Sequence, residues 1–174
     1  ASILIVVEKD LQGAIMVPTE VLAEQHYKNL LKYLNPLLVS VEILTGNTPQ
    51  KKRKEILSNL KNGLVDIIVG THALFEDKVI FNSLGIVVID EQHRFGVTQR
   101  NRLLSKGNNT HLLSMTATPI PRTLALSLYG DLDISQITEL PPGRVPITTK
   151  IISENELGEL FKFVDGEIRN GKQA

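Results

Sequence analysis

Two acidic residues stand side by side at the end of an apolar run, where Ile86-Val87-Val88-Ile89 leads into Asp90-Glu91-Gln92-His93. An apolar strand that ends in carboxylates places them at the rim where open parallel α/β sheets bind their ligands. Neighbouring carboxylates there can divide the labour of phosphoryl chemistry. One holds a hydrated Mg²⁺ that bridges nucleotide phosphates, and the other orients and deprotonates the attacking water. A bare Asp-Glu pair is more often a helix cap or a solvated turn. Here a second signal weighs against that reading, because Ser114-Met115-Thr116-Ala117-Thr118-Pro119 again follows an apolar run directly. Alone, Thr-Ala-Thr-Pro is a turn closed by proline. Beside an acidic box, the hydroxyls of Thr116 and Thr118 can hydrogen-bond to it and report its nucleotide state elsewhere.

Together these residues resemble the superfamily-two helicases, whose second motif is a DExH box and whose third is a Ser/Thr-Ala-Thr element. Four runs narrow the likeness to the RecG type: Asp90 to Arg100, Thr116 to Thr123, Leu128 to Asp133 and Leu140 to Arg144. Transcription-repair coupling factors share the Arg94-Phe95-Gly96-Val97 element and are the alternative. The resemblance implies a RecA-like fold, with Glu91 and Asp90 as the catalytic residues and Asp90 holding Mg²⁺ through water. It makes Gln92, His93, Thr116 and Thr118 coupling residues, with His93 between the nucleotide site and a partner lobe. It also implies DNA contacts at Pro18-Thr19, at Thr45-Gly46 and at Gly70-Thr71-His72, each just after a predicted strand. Threonine hydroxyls and free amides at helix starts can hold phosphate without reading bases. Singly, each of these pairs is more often a cap or a turn.

The resemblance further implies ATP and Mg²⁺ as cofactors, branched or forked DNA as partner, and a cytoplasmic setting. A second RecA-like lobe and a wedge domain would complete the motor. The phosphate loop, Gly-x-x-x-x-Gly-Lys-Ser/Thr, does not occur in this sequence. The residues from Ala1 to Leu11 match only the helix that follows that loop in the family, so the chain is expected to start just beyond it and to be inactive by itself. Losing the loop's strand is expected to leave neighbouring strands unpaired on a buried edge. Ser2 to Val7 either keeps the inherited helix, the preferred reading, or switches to a strand that fills the gap.

The elements that must position these residues are legible as an alternation. Short β-branched runs at Ala14–Val17, Leu38–Leu44, Asp66–Val69, Gly85–Ile89 and His111–Met115 alternate with amphipathic stretches, which predicts a parallel sheet with crossover helices. Near-continuous apolar strands belong to a sheet covered on both faces. Glu20 to Leu34 and Thr48 to Asn62 read as helices, the first stopped by Asn35-Pro36. The fold expected is α/β, a RecA-like parallel sheet flanked by helices and lacking the phosphate-loop strand. Residues 1–140 form the first helicase lobe. Residues 141–146 hold three prolines and a glycine and read as a hinge. Residues 147–174 would open the second lobe with a strand at Ile147–Ile152 and a helix from Glu154 to Arg169.

Composition bounds the alternatives. In 174 residues, 42% are hydrophobic and 22% charged, which suits one globular α/β domain with a short piece of another. Without cysteine, disulfides and thiolate metal sites are excluded. The longest apolar runs fall far short of the roughly 20 residues a membrane helix needs. Nineteen basic residues balance nineteen acidic ones, so no global charge points to nucleic acid. The dense basic run Lys51-Lys52-Arg53-Lys54 reads first as a solvated helix face and second as a phosphate contact. His26, His72 and His111 are scattered and suggest no zinc site. Two other functions stay open: a catalytically dead DNA-binding module, and a nuclease using Asp90, Glu91 and His93 as metal ligands. The second is the weaker, since three neighbours on an extended chain do not converge easily on one ion.

Overall fold

In the computed structural model the described residues are 2–117, 133–139, 143 and 147–173. The chain divides into two units, residues 1–125 and 126–174; of the expected hinge at 141–146 only Gly143 is described. The first unit is built on five parallel strands. These are β1 (Gln12–Met16), β2 (Val41–Leu44), β3 (Ile67–Gly70), β4 (Leu84–Ile89) and β5 (His111–Ser114). Their spatial order is β2-β3-β1-β4-β5, and every pairing is parallel.

Alternate strand residues feed two cores, which is why the strands read as unbroken apolar runs. Ala14, Met16, Ile68, Val87 and Ile89 join one cluster with Ile56 and Leu60 of helix α3 (Gln50–Lys61) and Leu103 of helix α4 (Val97–Leu104). Ile15, Val17, Ile67, Val69, Ile86 and Val88 join the other, with Ile3 of helix α1 (Ser2–Val7) and Ala23 and Leu34 of helix α2 (Glu20–Leu34). The preferred helical reading of Ser2–Val7 is what the fold contains. A Cβ at position 13 would lie 2.5 Å from Ile3 Cδ1, so α1 approaches the sheet this closely only because residue 13 is glycine.

The strands pair without interruption, so no neighbour is missing from between them. The incomplete edge is β5 instead. Among the described residues β5 bonds to β4 alone, and His111 and Leu113 are exposed. The predicted helix starting at Thr48 begins at Gln50, after Pro49 takes the N-cap position. Asn35-Pro36 does not stop the chain dead: Asn35–Leu37 continues as a 3₁₀ turn, ended by Leu38 in the left-handed region at φ 57°.

Deep in the first unit Gln12 joins three segments of backbone. Its amide donates to the carbonyls of Leu60 (2.9 Å) and Val65 (2.7 Å) and accepts from the backbone amides of Asn82 (2.7 Å) and Ser83 (3.0 Å). In the second unit, helix α5 (Leu157–Arg169) follows a 3₁₀ turn at Glu154–Glu156 whose start is capped by Ser153. Residues Ile147–Ile152 do not form the strand expected of them. Ile147 and Ile151 are exposed, and a strand needs a hydrogen-bonded partner that the described residues do not supply.

Candidate functional site

Register explains why the chemically interesting loops meet. Leu44 pairs with Gly70, Gly70 with Met16, Met16 with Ile89, and Ile89 with Ser114, so all five strands end at one level. The residues after them, Thr45, Thr71, Val17-Pro18-Thr19, Asp90-Glu91 and Met115-Thr116, therefore emerge along a single carboxyl rim. Asp90 is held there from three sides. Its backbone amide donates to Met16 O (2.9 Å), one carboxylate oxygen accepts the Glu91 amide (2.9 Å), and the other lies 3.0 Å from His26 Nε2.

Glu91 turns the chain sharply, with φ 52° and ψ 50°, a left-handed conformation uncommon for a residue with a side chain. The turn sends its carboxylate away from the strand, to 3.4 Å from His93 Nδ1. Gln92 is buried. Its backbone amide donates to Met115 O (3.2 Å), and its side-chain oxygen accepts from Arg100 (3.3 Å). Because Met115 in turn donates to Ile89 O (2.8 Å), the acidic turn and the Thr116 segment are stitched together. Beside them opens a cleft of about 660 Å³ lined by Pro18, Thr19, His72, Glu91 and His93 among others. Residues from four predicted loops thus share one concavity.

The family model that matches residues 2–126 is that of the DEAD/DEAH box helicases. The chain belongs to this helicase family. Among its relatives, the ATP-dependent DNA helicase RecG of Synechocystis is 55% identical over 173 residues, which is 99% of this chain and 21% of that protein. The RecG helicase of Aquifex aeolicus is 52% identical, over 98% of this chain and 22% of its own. The chain thus spans about a fifth of the length of the relatives it matches. A solved structure of RecG bound to a three-way DNA junction superposes with a TM-score of 0.78 at 42% identity, over 94% of this chain and 22% of that one. The Mycobacterium smegmatis helicase Lhr shares the fold, with a TM-score of 0.55 at 15% identity. The RecG-type likeness and the RecA-like α/β fold read from the sequence both stand.

Not every residue predicted for the site reaches the rim surface. Thr19 does, and it also caps α2 by accepting the Leu22 amide (3.3 Å). His72 and Gly46 are exposed as well. Thr45 and Thr71 are buried. The Thr45 amide is already bound to Thr48 Oγ1 (2.9 Å) and its carbonyl to Arg53 (3.1 Å). Gly70 is buried under Leu74 and the Leu44 carbonyl. Thr118 lies outside the described residues.

Among the described residues no three His, Cys, Asp or Glu side chains group as metal ligands. No helix among them is long and apolar enough to cross a membrane. The basic run on α3 is not a uniform face: Arg53 turns inward to Glu76 (2.5 Å), and Lys52 lies 3.6 Å from Glu42.

Sequence reasoning missed His26, set aside as a scattered histidine. A signal was present. On α2, residue 26 falls in helical phase with Leu22, Ala23 and Leu30, so it belongs to the face turned toward the sheet. A polar residue on that face needs a partner, and Asp90 is it.

Proposed function

We propose that the chain forms the first motor lobe of an ATP-driven DNA helicase that remodels branched DNA, in a longer protein whose second lobe opens after residues 141–146. The observation that carries this reading is the rim itself: Asp90 and Glu91 leave a buried parallel strand beside the Thr116 segment, and Glu91 lines a cleft with Thr19 and His72. Relatives named as ATP-dependent DNA helicases, and a RecG structure containing a three-way junction, support ATP as fuel and DNA as track.

The residues present fit half of a nucleotide site. Among the described residues each Asp90 oxygen is engaged once, by His26 or by the Glu91 amide, which leaves each a lone pair to hold water on a metal ion. When bound, Mg²⁺ would neutralise charge developing on the phosphates. Glu91 would orient a water toward the γ-phosphorus and accept its proton as the bond to the β-phosphate oxygen breaks, releasing ADP and phosphate. Gln92 and His93 would carry the site's state toward the partner lobe, a role proposed for Thr116 and Thr118 as well. Pro18-Thr19, Gly46 and His72 would follow the DNA backbone and not its bases. A wedge domain of the longer protein would engage the fork, in the cytoplasm.

The phosphates themselves find no Gly-x-x-x-x-Gly-Lys-Ser/Thr cradle in this sequence. The 174-residue chain alone is therefore expected to show no appreciable ATPase, because a base without a positioned substrate does little. Glu91→Gln in the full-length protein tests the motor reading. Loss of DNA-stimulated ATPase by roughly 10²-fold or more supports the motor, whereas undiminished hydrolysis removes Glu91 as the base.

A further inference from the structure

We infer that His26 is a positioning residue for Asp90: it fixes which way the carboxylate at the end of β4 faces, and it does so from helix α2. The inference rests on the reading of Asp90 as the metal anchor. His26 Nε2 lies 3.0 Å from Asp90 Oδ2, across 64 residues of sequence, with 31% and 24% of the two side chains exposed. A carboxylate only accepts hydrogen bonds, so the contact requires the histidine to carry its proton on Nε2. The other Asp90 oxygen is fixed by the Glu91 amide. With both oxygens tied, the carboxylate cannot rotate without breaking one bond, and its two remaining lone pairs keep fixed directions.

Such outer contacts orient a metal-binding carboxylate, and their loss typically weakens metal affinity about 10- to 100-fold. The helix adds a second consequence. His26 sits two turns beyond Thr19, which caps α2 at the shared cleft, and beyond Glu20, whose carboxylate accepts from both the backbone and the side chain of Asn47. A single rigid element therefore touches the loop after β1, the loop after β2 and the acidic box. The carboxylate's direction is set by the same helix whose first turn meets the rim.

The test uses the full-length protein and a fluorescent ADP analogue, its affinity measured once with magnesium and once with EDTA. His26→Leu should reduce the gain in affinity that magnesium confers by about tenfold, leaving the EDTA value unchanged. His26→Gln, which can place an N–H near the position of Nε2, should restore most of that gain. A leucine variant as responsive to magnesium as the parent overturns the inference, as does a glutamine variant no better than leucine. His26→Ala, which leaves the space open, takes the place of leucine should leucine disturb folding. Asp90→Ala separates the premise from the inference. Magnesium dependence that survives it sinks the anchor reading itself, whereas its loss there combined with a silent His26→Leu sinks only the role of His26.

Discussion

The backbone amide of Gln92 donates to the carbonyl of Met115 over 3.2 Å, which ties the turn carrying Glu91 to the segment carrying Thr116. This bond sits outside the sheet ladder, beyond the last paired residues Ile89 and Ser114. Two stretches separated by 24 residues in sequence owe their proximity to strand register first and to this bond second. Substitutions in the acidic turn should accordingly register at Thr116.

Glu91 pays a conformational cost for its place. An L-residue in the left-handed region is disfavoured by about 1–2 kcal/mol, and Glu91 sits there at φ 52°. Glu91→Gly should stabilise the chain by about 1 kcal/mol in chemical denaturation while removing the proposed base. A clear loss of stability would mean that the side chain, through His93, holds the turn more strongly than its backbone resists it.

Gln12 makes four hydrogen bonds from a site that is 4% exposed. Gln12→Leu leaves the buried Val65 carbonyl and the amides of Asn82 and Ser83 without their partner, while the Leu60 carbonyl keeps the Gly63 amide. We expect a loss of about 2–4 kcal/mol by denaturant titration. A change below about 1 kcal/mol would show that water reaches those groups.

At position 70 a methyl group would come within 2.4 Å of the Leu44 carbonyl oxygen and 2.8 Å of Leu74 Cγ. Backbone cannot yield as a side chain can. Gly70→Ala should cost about 1–3 kcal/mol of stability and disturb the β2–β3 pairing, readable as faster amide exchange at those strands.

The capping of the second unit's helix carries a pH signature. The Ser153 backbone amide and hydroxyl both donate to Glu156 Oε2 at 2.7 Å, and together they hold its carboxyl below the usual glutamate range. A carboxylate favoured in the folded state contributes stability above its unfolded value and loses it as pH falls through its folded value. Helicity at the start of α5 should therefore decline on acidification below pH 4.5, the ordinary glutamate value. Ser153→Ala should move the Glu156 midpoint upward in an NMR titration; an unmoved midpoint would break the assignment.

Much of this was readable from residues alone, for identifiable reasons. The alternation of β-branched runs with amphipathic stretches marked all five strands and helix α2 to within a few residues, because both sheet faces are covered. The Asp-Glu-Gln-His and Thr-Ala-Thr runs were legible because each follows such a strand. The Ile147–Ile152 segment misled for the opposite reason: β-branched composition records a preference, and pairing decides. His26 escaped notice because its partner is remote in sequence and only the β1–β4 register brings α2 over Asp90. Burial of Thr45 and Thr71 was equally invisible, since a motif names residue types and not which atoms face outward.

Arg53 has a consequence for how the protein would respond to salt. One of four successive cations on α3 is committed inward and a second lies near Glu42, so a polyanion lying along that helix meets Lys51 and Lys54. Each neutralised phosphate releases about 0.9 counterions. The basic run would then steepen the dependence of log affinity on log ionic strength by roughly two and not four.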